Sequence, residues 1–94
     1  METLQTPSFI GDQHAITPGA LQSLTAVGAT PEILLARHYA CDWSEMDSFD
    51  AAENRLALDS GRRVFSAYKI AEIKYWVITE ADRSLTTILL PSEY

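Results

Sequence analysis

One stretch of the sequence, WVITEADRSLTTILLP from Trp76 to Pro91, places two acids and a base within four positions. Its Glu80, Asp82 and Arg83 lie between two apolar runs. Charged groups this close could contact a partner or shape a tight turn, because an Asp can accept a hydrogen bond from the backbone two residues on. A metal site would need further acids nearby, and the sequence places none there. We predict first a hairpin turn, and for this charged trio and the neighbouring Trp76 we predict contact with a partner rather than catalysis.

The two histidines and the single cysteine offer little for metal or nucleophilic chemistry. His14 and His38 form no HxxxH, HxH or HExxH motif, so no metal site is predicted. His38 stands three residues before Cys41 on the same predicted helix, but no acid or amide is placed to orient it. We expect His38 at a surface or half-buried position and Cys41 as a buried or half-buried structural thiol. No glycine-rich phosphate loop or GxSxG motif occurs, and no cofactor is predicted.

The charge of the chain argues against nucleic-acid binding. Its 94 residues carry thirteen acids and seven bases, a net charge of −6, whereas affinity for DNA or RNA comes mainly from neutralised phosphates. The same charge suits a basic surface on another protein. No apolar run approaches the ~20 residues that cross a bilayer, and the first residues lack the features of a secretory signal. A single cysteine allows no internal disulfide, so we expect a cytoplasmic protein.

Two helices are predicted in the first half of the chain, and each opens with Thr-Pro. Thr17 and Thr30 are the predicted N-caps, and Gly28 ends the first helix because glycine tolerates a positive φ. The residues before them, 1–13, lack periodicity and are predicted to be an arm whose SFIGD segment adds a short strand or lies over the core. The apolar side chains of the two helices are Leu21, Leu24 and Val27 in the first and Ile33, Leu34, Leu35 and Tyr39 in the second.

A third helix is predicted within CDWSEMDSFDAAENRLALDSG. Its start is ambiguous, because Asp47 or Ser48 can cap it. Asp50, followed by Glu three residues later, also matches a capping box. The helix ends at Gly61, and Trp43 in the loop before it is predicted to be a core anchor. The residues that recur at helical spacing and form its predicted apolar stripe are Phe49, Ala52 and Leu56.

From Arg62 onward the apolar period changes to two residues, which is typical of β-strands. Three strands are predicted within RRVFSAYKI, IKYWVIT and LTTILLP, and the short links between them allow only antiparallel pairing. The sequence thus predicts a single α+β domain over residues 14–94. Two to three N-terminal helices pack on a C-terminal three-stranded antiparallel meander.

The middle predicted strand is apolar on both faces, with Tyr75 and Val77 on one side and Trp76 and Ile78 on the other. One face is expected to pack against the helices. The other face then needs a cover, from the N-terminal arm, from the loop around Trp43 or from a second chain.

Four segments resemble a family of small uncharacterised bacterial proteins: TPGALQSL, LLARHYACDW, AAENRLAL and VFSAYKI…WVITEADRSLTTILLPSEY. Members of that family are carried on plasmids, integrative elements and phages, and some bear a label linking them to type I restriction–modification. The resemblance covers most of the chain after His14 and is most specific in the closing segment. It implies an accessory protein of mobile elements and brings no catalytic or binding residues. Where such proteins have a glycine-containing turn between the first two strands, this chain reads KIAEI.

Three functions follow as hypotheses. The first is a non-enzymatic module that binds another protein, such as a defence or restriction component, through an exposed sheet face or edge. The second is a small barnase-like toxin ribonuclease with Glu80 as base and Arg83, aided by Arg62 or Arg63, on the phosphate. The acidic charge and the lack of a His after residue 38 argue against it. The third is a structural homodimer formed through the sheet.

Overall fold

The computed structural model describes residues 13–94. The predicted arm, residues 1–13, lies outside the described residues except for Gln13, and so does its SFIGD segment. The α+β class predicted from the sequence is confirmed. The elements are, in chain order, β1 (Gln13–Ile16), α1 (Pro18–Ala26), α2 (Pro31–Tyr39), α3 (Ser48–Ser60), β2 (Val64–Ile70), β3 (Ile73–Thr79), β4 (Leu85–Leu89) and a 3-10 helix (Pro91–Glu93).

The four strands form one sheet in the order β1-β4-β3-β2. The antiparallel pairs β2–β3 and β3–β4 are as predicted, but β1 adds a parallel strand beside β4, from Gln13 opposite Leu85 to Ile16 opposite Ile88. The predicted three-stranded sheet is therefore wrong by one strand, and the helices do not come first in the chain. β1 gives no alternating pattern because it has only four residues, three of them exposed.

The helix ends follow the predicted caps. Thr17 Oγ1 accepts a hydrogen bond from a backbone N–H in the first turn of α1 at 3.3 Å, whereas Thr30 caps α2 without such a bond. Asp47 caps α3, since its Oδ1 accepts from the backbone N of Asp50 at 2.8 Å. Gly61 ends α3 with a φ of 73°, in the left-handed region that favours glycine.

Two apolar clusters hold the described part of the chain together. α1 and α2 cover one face of the sheet and form the main cluster with it. A smaller cluster lies between α3, the loop before it and the start of β2, where Trp43 is buried as predicted. The buried members of the main cluster are Ala20, Leu24, Leu34, Tyr68, Tyr75, Val77 and Ile88.

The C-terminal end of the chain covers part of the other sheet face. Trp76 is half-buried there, with its ring 4.8 Å from that of Phe65 and 5.5 Å from that of Tyr94. Glu93 fixes this end in place, because its carboxylate accepts hydrogen bonds from the Thr17 hydroxyl and the Gly19 N–H. These groups lie at the N-terminus of α1, where the helix dipole favours an anion. This cover comes from the chain itself and is not among those expected from the sequence.

The third helix, α3, lies beside β2. The side of α3 that faces the protein interior is not the predicted one. Its buried residues are Asn54 and Ala57. The Asn54 amide pairs with the backbone of Phe65, with Nδ2 donating to the carbonyl at 2.6 Å and Oδ1 accepting from the N–H at 3.0 Å. These bonds stand in for a neighbouring strand, and the small Ala57 permits close approach. The predicted apolar stripe of Phe49, Ala52 and Leu56 is exposed as a result.

Candidate functional site

The hairpin between β3 and β4 contains the predicted Asx-turn. Asp82 Oδ1 accepts hydrogen bonds from the backbone N of Ser84 at 3.0 Å and from its hydroxyl at 2.6 Å. These bonds hold the pKa of the Asp82 carboxyl below its usual range. Arg83 has a φ of 65°, in the left-handed region, as a tight turn at this position requires. The turn prediction is therefore confirmed for this segment.

The other predicted contact residues also bond within the chain. Arg83 donates through Nη1 to the carbonyl of Arg62 at 2.7 Å, and its Nη2 lies 3.4 Å from the carbonyl of Ala57 in the last turns of α3. The Ala57 carbonyl already accepts hydrogen bonds from the backbone N–H groups of Gly61 and Arg62, so the guanidinium adds to the capping of α3. Its Nη2 also lies 3.5 Å from the carbonyl of Leu58. Trp76 packs against aromatic rings on the sheet face. Contact of Glu80, Asp82, Arg83 and Trp76 with a partner stays a prediction.

The residues of the ribonuclease hypothesis come together at the same end of the sheet. Arg63 Nε lies 3.4 Å from Glu80 Oε1, and both side chains are nearly half exposed. The guanidinium of Arg83 bonds to the carbonyl of Arg62. A general base must lie within hydrogen-bond reach of the proton it removes, and a phosphate site needs cations directed at the substrate. Here the carboxylate is paired with a cation, and Arg83 is directed at backbone carbonyls.

His38 is fully buried, which corrects the surface or half-buried position expected from the sequence. Its Nδ1 lies 2.6 Å from the hydroxyl of Ser66, and its Nε2 lies 2.8 Å from the hydroxyl of Thr79. Buried polar groups require such partners, and inward-facing Ser and Thr in the predicted strands are the sequence signal that could have identified them. Further hydrogen bonds extend this network to Thr86, Tyr39 and Trp43.

The His38 network holds α2 to the sheet and is closed to solvent. One directed chain satisfies it: Trp43 Nε1–H donates to Ser66, Ser66 donates to His38 Nδ1, and His38 Nε2–H donates to Thr79. Burial, followed by the positive charge of Arg83, lowers the pKa of His38 to about 3. The imidazole is therefore neutral at physiological pH, and its burial keeps it from a substrate.

Cys41 is half-buried, as predicted, and burial raises the pKa of its thiol. A raised pKa disfavours the thiolate that a nucleophile or metal ligand requires. Within residues 13–94, no group of three His, Cys, Asp or Glu side chains could hold a metal ion.

The outer side of α3 carries an apolar stripe that packs against nothing described. Phe49 is 70% exposed and Leu56 is 54% exposed. They are two helical turns apart, with Ala52 and Glu53 between them on the same side of the helix. We call these four residues, Phe49, Ala52, Glu53 and Leu56, the α3 face. By contrast, α1 carries one large exposed apolar residue, Leu21, and the next one, Val27, is the C-cap that follows the helix.

Acidic groups surround the α3 face. Residues 42–60 hold six acids and one base, whereas the rest of the chain holds seven acids and six bases. The net negative charge therefore comes almost entirely from α3 and the loop before it. Asp42 and Glu45 both pair with Arg37, at 2.7 and 2.9 Å. The single base, Arg55, lies over the Trp43 ring at 5.8 Å. Among the described residues, the acids of this segment with no ion pair are Asp47, Asp50, Glu53 and Asp59.

A groove of about 630 Å³ adjoins the α3 face. Its floor is the aromatic part of the sheet face, with Phe65 and Trp76, and its helix wall includes Asp50 and Glu53. Glu53 thus belongs both to the groove and to the α3 face. The helix wall of the groove is acidic, whereas Lys69 and Lys74 line its sheet side.

Comparison with known proteins finds no match to a family model, to a curated protein or to a solved structure. The resemblance to bacterial mobile-element proteins is not tested by these comparisons and stays a prediction. No helix within the described residues is long and apolar enough to pass through a bilayer.

Proposed function

We propose that this protein is a non-enzymatic module that binds another protein through the α3 face. One observation carries the proposal: Phe49 and Leu56 form a two-turn apolar stripe that is 70% and 54% exposed and rimmed by acids. Contiguous apolar surface rimmed by polar groups is typical of interaction sites. This proposal keeps the partner-binding role predicted from the sequence, but it places the main binding surface on α3 and not on the sheet.

The free energy of burying the exposed apolar side chains supports a surface that becomes buried when a partner binds. Removing the exposed parts of a Phe and a Leu from water contributes roughly 1–2 kcal/mol each, and the isolated protein gains none of this. α3 has 13 residues and is about 20 Å long, so it alone presents less than the ~800 Å² per partner of a standard interface. We therefore expect a reversible complex of moderate affinity, in which the partner also reaches toward the groove.

The sequence resemblance supports the cellular setting of this proposal. It favours an accessory protein of plasmids, integrative elements or phages, and a defence or restriction component as the partner. The single cysteine supports a cytoplasmic location. The ribonuclease alternative finds less support in the geometry, because Glu80 is ion-paired and Arg83 is directed at backbone carbonyls. A homodimer formed through the sheet finds less support at the edge of β2, where Asn54 and Glu45 already bond to the backbone.

Site-specific photo-crosslinking in bacterial host cells tests the proposal. A photoreactive phenylalanine analogue replaces Phe49 or Leu56, and the matched control carries it at Ile33, which is 51% exposed on α2. We expect one and the same partner protein to be crosslinked from positions 49 and 56 and not from position 33. Excess unlabelled protein should compete for this crosslink, whereas a Phe49→Ser/Leu56→Ser variant should not.

Crosslinking only between copies of the chain would favour the homodimer instead. Equal crosslinking from all three positions, or none from the α3 face, would contradict the proposal. Circular dichroism must show that the Ser variant keeps its helix content, which we expect because both side chains are exposed.

A further inference from the structure

We infer that the partner presents a basic amphipathic helix to the α3 face. This inference rests on the proposed function and adds the secondary structure and the charge of the partner surface. It is carried by three features: the closed edge of β2, the spacing of the apolar stripe and the distribution of charge along the chain.

Side chains already occupy part of the edge of β2 beside α3. The Asn54 amide bonds to both the N–H and the carbonyl of Phe65. Further along, Glu45 Oε1 accepts a hydrogen bond from the backbone N of Lys69 at 2.9 Å. An extended peptide gains affinity mainly by pairing with such groups, so a strand would have to displace these side chains. Recognition on this side of the molecule therefore falls to the side chains of α3.

The spacing of those side chains fits another helix. Phe49, Ala52, Glu53 and Leu56 lie at positions i, i+3, i+4 and i+7, the repeat by which two helices interlock their side chains. Ala52 lies between the two large residues, and its short side chain would leave room for an apolar side chain of the partner. A partner helix with Leu or Phe at the same repeat would cover both ends of the stripe.

The charge of the partner follows from the acids at the sides of the stripe. Glu53 lies on the α3 face beside the apolar stripe, and Asp59 lies three residues beyond Leu56. Neither has an ion-pair partner among residues 13–94. Lys or Arg at the flanks of the partner helix would pair with them, as charged flanks do in paired helices. A second copy of this chain would instead bring acid against acid, because the only base on this helix, Arg55, lies over Trp43.

Two synthetic helical peptides serve as probes, one with a leucine stripe flanked by lysines and one with the same stripe flanked by glutamates. Fluorescence anisotropy at low salt measures their binding to the full chain. We expect the lysine peptide to bind at least about tenfold more tightly than the glutamate peptide. Raising the salt concentration should reduce this difference, because the pairs are exposed.

Charge reversal provides the decisive variant. In Glu53→Lys/Asp59→Lys the preference should invert toward the glutamate peptide. Asp50 is left unchanged, because a cation in the first turn of α3 would oppose the helix dipole. The Ile33→Ser variant, altered on α2, should bind both peptides as the wild type does. The Phe49→Ser/Leu56→Ser variant should bind neither peptide.

Equal binding of the two peptides, no binding of either, or an unchanged preference after charge reversal would overturn the inference. The proposed function is judged separately, by the crosslinks from positions 49 and 56. If those crosslinks form but the lysine peptide is not bound preferentially, the α3 face is an interface whose partner is not a basic helix. If the crosslinks fail as well, the proposed function falls with the inference.

Discussion

At the scale of single residues, the buried tyrosines Tyr68 and Tyr75 face each other across β2 and β3 but differ in their hydrogen bonding. The Tyr68 hydroxyl donates to the carbonyl of Asp42 at 2.8 Å, and burial raises its pKa to about 12. Among the described residues, Tyr75 carries the buried side-chain polar atom that lacks a hydrogen-bond partner. A buried hydroxyl without a partner loses its hydration and gains nothing in return.

Tyr75→Phe is therefore expected to raise the free energy of unfolding by about 1 kcal/mol, whereas Tyr68→Phe should lower it by about 1 kcal/mol. The two substitutions remove the same atom from neighbouring sites, so each is the control for the other. Urea denaturation followed by circular dichroism measures both. A loss of stability in Tyr75→Phe would contradict the expectation and would indicate a partner for this hydroxyl in solution.

The burial of His38 makes stability depend on pH. The pKa of His38 is about 3 in the folded chain and near 6.5 when exposed. Between these values the unfolded chain holds a proton that the folded chain does not, so acidification favours unfolding. The destabilisation caused by His38 is small above pH 6.5 and grows as the pH falls. We expect the free energy of unfolding to drop by roughly 2 kcal/mol from pH 7 to pH 5.

His38→Gln should remove most of this pH dependence while lowering stability at pH 7, because the amide cannot fill the network in the same way. His14→Gln, at an exposed site on β1, should keep the dependence. The range stops at pH 5 because Asp42, Asp82 and Glu93, whose carboxyl pKa values are lowered, lose their favourable interactions in more acidic solution. A slope unchanged in His38→Gln would show that another group titrates.

At the scale of elements, the hairpin between β2 and β3 turns without glycine. Its two central residues, Ala71 and Glu72, have φ values of 50° and 70°. Two consecutive positive φ angles define a type I′ turn, for which Asn-Gly is the favoured sequence. The left-handed region costs other residues about 1 kcal/mol each.

Ala71→Asn/Glu72→Gly should raise the free energy of unfolding by about 1–2 kcal/mol, since the turn geometry stays and the strain is reduced. Thermal and urea denaturation measure the gain. Placing the same dipeptide at Asp82 and Arg83 serves as the contrasting control and should give no such gain. There an Asn side chain keeps the Asx-turn, but the hydrogen bonds of the Arg83 guanidinium to backbone carbonyls are lost. No gain at positions 71 and 72 would mean that the turn relaxes in solution.

Arg83 links two elements, the β3–β4 hairpin and the end of α3. Arg83→Ala should lower the free energy of unfolding by roughly 1–2 kcal/mol, because it removes charge-assisted hydrogen bonds to backbone carbonyls. Glu80→Ala, which removes only an exposed ion pair, should cost less than about 1 kcal/mol. Urea titrations of the two variants give the comparison. If Arg83→Ala left stability unchanged, the side chain would be available for the partner contact predicted from the sequence.

At the scale of the whole molecule, features set by local signals in the sequence could be predicted, whereas features set by long-range packing could not. Thr17, Asp47 and Gly61 mark helix ends through contacts within a few residues, and the strand faces follow from alternation. β1 could not be found in this way, because its four residues are mostly exposed and its partner β4 lies far along the chain. The rotation of α3 depends on Asn54 meeting Phe65, a contact that no apolar pattern encodes.

The candidate site, too, could be predicted from the sequence only in part. The presence of an apolar stripe on α3 could be predicted from the spacing of Phe49 and Leu56. Its exposure could not, because a buried Asn54 amide decides which side of the helix faces inward. The acidity could be counted from the sequence, whereas its concentration around one exposed stripe required the fold.

The same Asn54 amide closes the sheet, and its removal should change how the whole molecule associates. Asn54→Leu keeps a similar volume but leaves the N–H and the carbonyl of Phe65 without partners at the sheet edge. We expect the free energy of unfolding to fall by about 2 kcal/mol, since two hydrogen bonds of a buried group are lost. The opened edge of β2 should then pair with other chains in a concentration-dependent manner.

Analytical ultracentrifugation over a range of protein concentrations compares Asn54→Leu with the wild type. Glu53→Gln is the matched control, because it alters the exposed neighbour on the same helix and leaves the amide in place. It should sediment as the wild type does. Association that is identical in all three proteins would contradict the closure of the β2 edge by Asn54. Association confined to Asn54→Leu would show that Asn54 is required to keep this edge closed, even with the Glu45 bond to Lys69 in place.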